Sequence, residues 1–198
     1  MKTKSITDAK IREQASKLGV EAAALKAVIE VEAKSSGLNQ DGTPVILYER
    51  HKFYEGLRAI NWITKSKEWF KQYPDLCNPS PGGYGKYSEQ HGKLTRASEL
   101  NREVALESCS WGLGQVMGYH WKSLGYESLQ SFINAMYKDE ASQLDAMCRY
   151  ISVNNLVNAV KSKDWKAFAR GYNGKNYAIN RYDTKLATAY AKWKKAGF

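Results

Sequence analysis

A carboxylate set into the apolar face of a helix is the strongest constraint this sequence places on its fold. In the stretch Glu21-Ala-Ala-Ala-Leu-Lys-Ala-Val-Ile-Glu-Val-Glu-Ala-Lys34, the apolar residues Leu25, Val28 and Ile29 recur at the spacing of one helix face. An advance of roughly 100° per residue sets Glu32 between Val28 and Ile29, in the middle of that face. Glu30 falls on the opposite side with Lys26 and Lys34, each four residues away, as a solvated ladder of ion pairs. A carboxylate on the core side of a helix is costly to ionise, so its pKa rises and it can hold a proton near neutrality, as a general acid must. The same position equally suits a buried structural acid satisfied by an arginine or by backbone donors.

A chain of 198 residues with 43% hydrophobic and 12% aromatic side chains can bury one good core, which predicts a single ordered domain over residues 1–198 with no separate wall-binding module. No apolar run reaches the length of a membrane span, and the start, Met-Lys-Thr-Lys-Ser-Ile-Thr-Asp-Ala-Lys10, has no apolar segment of a secretory signal. Cys77, Cys109 and Cys148 are odd in number and widely spaced, which reads as reduced core thiols of a protein made in a reducing compartment. The net charge of +10 is concentrated at the end: ten Lys and Arg stand against Asp164 and Asp183 from Lys161 onward. Such a balance implies a polyanionic partner, with nucleic acid, an anionic membrane and an anionic wall polymer all qualifying.

Most segments read as short helices. Thr7-Asp8 caps a first helix through about Leu18, with Gly19 as its stop. The Glu32 helix is expected to end near Ser35-Ser36-Gly37. The run Val45-Ile-Leu-Tyr48, after a turn-rich stretch, is the one place where sheet is expected, as a small hairpin. Three prolines and three glycines cluster in Tyr73–Tyr87, which with Tyr84 and Tyr87 reads as a binding loop. Helical stripes resume at Ala97, Leu100 and Val104, at Leu129 to Met136, and at Leu144 to Ile151. Asp183 can cap a last helix with Leu186, Tyr190 and Trp193 inward and lysines outward. Those lysines complement the helix dipole, or alternatively make the helix a cationic amphipath that touches anionic outer-membrane lipid. The fold class expected is mainly α, with one small hairpin.

Three segments carry chemistry. The first is Val31-Glu-Ala-Lys-Ser-Ser-Gly37 followed by Asp41-Gly-Thr-Pro-Val-Ile-Leu-Tyr-Glu-Arg-His-Lys-Phe53. The second is Ser108-Cys-Ser-Trp-Gly-Leu-Gly-Gln-Val-Met-Gly118, and the third is Ala169-Arg-Gly-Tyr-Asn-Gly-Lys-Asn-Tyr177. In this order and spacing the set resembles the N-acetylmuramidase family of bacteriophage endolysins and, more distantly, goose-type lysozymes and lytic transglycosylases. The resemblance spans about Val20 to Trp193. It implies a lysozyme-like helical fold and cleavage of the β-1,4 bond between N-acetylmuramic acid and N-acetylglucosamine in peptidoglycan, with Glu32 at the family's catalytic glutamate. Relatives often have Ser after this residue; here Ala33 follows, so Ser35 or Ser36 would have to support the acid.

Glu49 is the candidate for a second catalytic carboxylate, with a structural cluster of Glu49, Arg50 and His51 as its alternative. Retention calls for the two carboxyls at about 5–5.5 Å and inversion at about 6.5–9.5 Å. In the second motif Gly112 and Gly114 allow a tight turn, and Ser110 and Gln115 are candidates to bind substrate or the Glu32 carboxyl; a helix start capped by Ser110 is the plain alternative. The resemblance matches Tyr172 and Asn173 to the pair bordering the glutamate, a phenol to orient it and an amide to bind an N-acetyl group. His51, His91 and His120 lie far apart, so no metal site is expected, and acid chemistry of this kind needs no cofactor. The expected lysin is a monomer made in the host cytoplasm that reaches periplasmic peptidoglycan through a separate pore. Lytic transglycosylation is the near alternative. A basic nucleic-acid-binding domain is the remote one, and it leaves Glu32 without a purpose.

Overall fold

Helix ends fall where local signals are strong. The computed structural model describes residues 4–33 and 36–198. Helix α1 (Asp8–Leu18) opens on Thr7, whose hydroxyl accepts the Lys10 N–H, and closes on Gly19 in the left-handed region (φ 69°). Helix α2 (Ala22–Glu32) buries Ala23, Ala24, Leu25, Ala27, Val28 and Ile29; its alanines let neighbouring helices approach closely. It ends at Glu32, earlier than expected, because Ala33 turns to an extended conformation (ψ 94°). Ser35, a candidate support for the acid, and Lys34 lie outside the described residues. The Lys26 half of the ladder on Glu30 is not the one expected: Lys26 pairs with Asp8 at 2.6 Å, and Glu30 takes Lys192 and the Trp193 indole.

The sheet has three antiparallel strands in the order β1 (Ile46–Tyr48), β2 (Cys109–Trp111), β3 (Val116–Met117). Leu47 is the Cα partner of Ser110, which in turn pairs with Met117. The hairpin is therefore β2–β3, inside the glycine-containing second motif, and the Val45–Tyr48 run joins its edge from sixty residues earlier. Ile46, Tyr48, Cys109 and Trp111 are buried. With side chains alternating at period two, Val45, Leu47, Glu49 and Ser110 share the other face.

The remaining helices are α3 (Arg50–Ala59), α4 (Ile63–Gln72), α5 (Gln90–Glu107), α6 (Leu129–Lys138), α7 (Glu140–Val153), α8 (Val157–Ser162), α9 (Trp165–Asn173) and α10 (Tyr182–Lys195). They build two apolar cores. One gathers Phe53, Leu57, Trp111 and Phe132 around the sheet; the other gathers Leu25, Val28, Met147, Phe168 and Leu186 around α2. Helix α7 feeds both, Ala146 into the first and Leu144 and Met147 into the second. The Tyr73–Tyr87 loop is tied to the first core through buried Leu76, whose carbonyl accepts the Tyr48 hydroxyl at 2.9 Å.

Helix α10 lies along α2. Arg181, in the left-handed region (φ 53°), occupies the cap position rather than Asp183, which lies in the first turn. Leu186 and Ala189 are buried, and Tyr190 donates to Glu21 at 2.7 Å. Lys163, Lys194 and Lys192 pair with Glu21 and Glu30, so part of the terminal charge is neutralised internally. The three cysteines are buried and free. No helix among the described residues is long and apolar enough to cross a membrane.

Candidate active site

Glu32 is the last residue of α2, where the second core meets the sheet. Its side chain opens on a cavity of about 410 Å³ lined by Ala33, Ser36, Asn39, Val45, Leu47, Tyr87, Gly112, Leu113 and Gln115. Val45 and Leu47 come from the sheet face opposite the first core, so the cleft floor is the sheet and its wall is the end of α2. Burial pushes the Glu32 pKa up from the ordinary 4.5 to about 7. Two groups oppose that rise. The Asn173 amide donates to Glu32 Oε1 at 2.9 Å, and the Lys185 charge acts from α10. A carboxyl with a pKa near 7 carries a proton in a large share of molecules at neutral pH, which is the property a general acid requires.

The turn beneath the cavity is held by its own side chains. Gly112 adopts φ 63°, and a Cβ there would collide with the Gln143 side chain. Gln115 also has positive φ (47°), an uncommon conformation for a residue with a side chain. It is kept there by accepting the Ser110 hydroxyl at 3.0 Å and donating to the Gly112 carbonyl at 2.9 Å. Ser110 and Gln115 thus bond to each other, with Gln115 also lining the cavity. Tyr172 donates to the Gly114 carbonyl at 2.8 Å, and burial raises its phenol pKa well above the ordinary value. The phenol therefore holds the turn, and the amide of Asn173 is the group that orients the acid.

Glu49 sits elsewhere on the same sheet face. It precedes α3, its Oε2 lies 3.3 Å from His51 Nδ1, and its charge, after burial, raises the pKa of the Tyr84 phenol. Tyr84 is half-buried against this cluster, whereas Tyr87 is 65% exposed on the cavity rim. The geometry thus joins Glu32, Gln115, Tyr87 and Asn173 around one space, with Ser110 and Tyr172 behind the turn and Glu49 with Tyr84 as a second cluster.

Two buried polar residues of α7 escaped the sequence reading. Glu140 accepts from Ile6 N–H (2.8 Å), Gly37 N–H (2.7 Å) and the Ser36 hydroxyl (2.6 Å). Gln143 accepts the Leu113 N–H and donates to the Gly37 and Met136 carbonyls. Together they fix Ser36 and Gly37, which follow α2, and the Gly112–Leu113 turn on the two sides of the cleft. Both stand on the inner face of their helix, so the wheel that exposes Glu32 could have found them too. Among the described residues no group of three His, Cys, Asp or Glu side chains could hold a metal ion.

A carboxyl made reluctant to ionise by burial, on a helix end facing a small sheet across a cleft, defines a glycosidase of the lysozyme-like class. The N-acetylmuramidase family model matches residues 21–194, and the chain belongs to that family, whose members are glycoside hydrolases acting on peptidoglycan. The crystal structure of a Burkholderia AP3 phage endolysin is similar at 41% identity with a TM-score of 0.91, covering 98% of this chain and 73% of that one. No curated protein sequence matches the chain.

Because the Asn173 bond favours the carboxylate, removing it should raise the Glu32 pKa further. Asn173→Ala is expected to move the alkaline limb of kcat/KM for wall digestion to higher pH, and Lys185→Ala to move it the same way. A limb that stays put or falls in both variants would dissociate Glu32 from the titration.

Proposed function

We propose that this protein is an endolysin that hydrolyses the β-1,4 bond between N-acetylmuramic acid and N-acetylglucosamine, with Glu32 as general acid. The observation that carries this reading is the Glu32 carboxyl at the end of α2, held by Asn173 and opening into the cleft, where burial raises its pKa to about 7. The glycosidic oxygen leaves poorly until it receives a proton while the sugar becomes oxocarbenium-like. Glu32 supplies that proton, and Asn173 holds its other oxygen. The strained Gln115 turn and the flat Tyr87 ring form the surface on which the sugars lie. Membership of the family and the similarity to a phage endolysin support lysis as the purpose, acting on peptidoglycan after a separate pore opens the membrane. We read residues 1–198 as one monomeric catalytic domain with two cores joined by α7.

For Glu49 the 3.3 Å approach to His51 and the influence of its charge on the Tyr84 phenol support the role of an anchor beside the Tyr84 loop, leaving water or the substrate's own hydroxyl to attack the far side of the sugar. Digestion of purified peptidoglycan by the parent and by Glu49→Gln, with products identified by mass, tests both points. Reducing muramic ends support hydrolysis, and anhydromuramic ends would mean transglycosylation instead. An anchor predicts that Glu49→Gln loses less than about tenfold in rate. A loss nearer the 10²–10⁴-fold of a positioned acid or base would make it the second carboxylate. Contact of α10 with anionic outer-membrane lipid rests on its exposed lysines alone, since its apolar stripe is packed on α2.

A further inference from the structure

Half of the large apolar side chains exposed among the described residues lie within one short stretch: Ile60, Trp62, Ile63, Phe70 and Tyr73. They occupy the corner between α3 and α4 and the outer side of α4. The turn is made possible by Asn61 in the left-handed region (φ 64°), a conformation asparagine tolerates better than most residues. Trp62 is braced from behind, edge-on to Trp69 at 5.9 Å, and Trp69 stacks in turn on the fully buried Phe53 at 6.3 Å. Phe70 is braced the same way by Tyr54 at 6.4 Å. These rings are held in place by the core, yet 41% of Trp62 and 38% of Phe70 remain in water. A concentrated apolar exposure of this kind marks a contact surface.

The charge around it narrows the partner. Residues 50–73 carry six Lys and Arg against two glutamates. Both glutamates are engaged, Glu55 by Lys52 and Glu68 by Lys65. Lys67 and Lys71 make no ion pair among the described residues, and they follow Ile63 on one stripe of α4 at spacings of four and eight. The partner is therefore anionic and takes apolar side chains. The exposed branched side chains of Ile60 and Ile63 offer a sugar neither a flat face nor a hydrogen bond, whereas the interfacial layer of a bilayer accepts Ile and Trp together and attracts the flanking lysines.

We infer that the α3–α4 corner docks the protein on an anionic lipid surface, with Ile60, Trp62 and Ile63 entering the headgroup layer and Lys67 and Lys71 lying on the acidic headgroups. This contact is independent of the chemistry at Glu32. It differs from contact through α10, where Leu186 and Ala189 are buried and Tyr190 and Trp193 half-buried.

The test is co-sedimentation of the full chain with vesicles of phosphatidylethanolamine and phosphatidylglycerol, against vesicles of phosphatidylcholine alone. The parent should bind the anionic vesicles at least about tenfold more tightly, with the difference shrinking at high salt. Ile63→Ser, and separately the double change Lys67→Glu and Lys71→Glu, should each weaken that binding about tenfold or more. Lys195→Glu on α10 should change it less than twofold. The two lysine changes touch no core residue, so circular dichroism and digestion of purified wall fragments should match the parent and separate docking from folding and catalysis. Equal binding of parent and variants, no preference for anionic vesicles, or an equal loss in Lys195→Glu would overturn the inference. So would variants that lose affinity for insoluble peptidoglycan while keeping it for vesicles, which would make the corner a glycan contact.

Discussion

Glu32→Gln is expected to cut the rate of peptidoglycan solubilisation by about a thousandfold and, in the same molecule, to make the fold more stable at pH 8. The first effect follows from the 10²–10⁴-fold that a positioned general acid contributes. The second follows from linkage. The folded carboxyl titrates near 7 and the unfolded one near the ordinary 4.5, so between those values the native state binds more protons than the unfolded chain. Stability conferred on the protonated form is therefore complete below about pH 4.5 and falls as pH rises, with a total loss of roughly 3 to 3.5 kcal/mol above pH 7. Glutamine keeps the acceptor for Asn173 and fills the same space without ever ionising. Thermal melts should show the variant above the parent by roughly 5–10 °C at pH 8, and level with it at pH 4. Identical offsets at both pH values would mean that Glu32 ionises as an exposed glutamate does, and the acid would then be unsuited to its task.

The residue that governs this result was visible in the sequence because a helix writes its faces at a fixed period, and Glu32 breaks the apolar side of α2. Thr7 and Gly19 were equally legible, since caps act over three or four residues. What stayed hidden depends on distance along the chain. Asn173, which bonds the acid, is 141 residues away, and nothing local to it says that its amide meets a carboxyl rather than a sugar. Strands β2 and β3 contain three and two residues interrupted by glycines, too short for an alternation pattern, and they exist because β1 docks on them from sixty residues upstream. The early end of α2 has a similar cause. No capping residue stops the helix at Glu32; the chain leaves because Glu140 and Gln143 hold the backbone at Gly37 in a path a helix cannot follow. Of the α10 stripe Leu186 is buried as read, while Tyr190 and Trp193 are only half-buried, and its lysines carry a second meaning only the fold supplies. They reach across to Glu21 and to Glu30, the latter read from the sequence as paired within its own helix.

Gln143→Leu is expected to be the most damaging single substitution outside the cavity. The side chain is 1% exposed and uses all it has: Oε1 accepts the Leu113 N–H at 2.9 Å, and Nε2 donates to the Gly37 carbonyl at 3.1 Å and to the Met136 carbonyl in the last turn of α6 at 2.8 Å. Leucine has similar volume and removes every one of those bonds, leaving the Leu113 N–H and the Met136 carbonyl without the partner Gln143 gave them, while the Gly37 carbonyl keeps only the Val45 N–H. At about 1–3 kcal/mol for each of the two orphaned groups, the loss is of order 2–6 kcal/mol, a large part of the 5–15 kcal/mol that holds an ordinary domain together. The melting temperature should fall by more than about 10 °C. Glycines pack directly on this amide from both motifs, Gly37 and Gly112, so neither segment can shift to heal the gap without sliding over the leucine. The cleft floor and the exit of α2 should then drift apart, and kcat/KM measured well below the melt should drop at least about tenfold. The alkaline limb of the pH profile should stay where it is, because Asn173 and the burial of Glu32 are untouched. A variant that melts with the parent would show that the three bonds are replaced by water. One that loses activity through a shifted pH limb would make Gln143 part of the acid's own environment rather than the pin between the two walls.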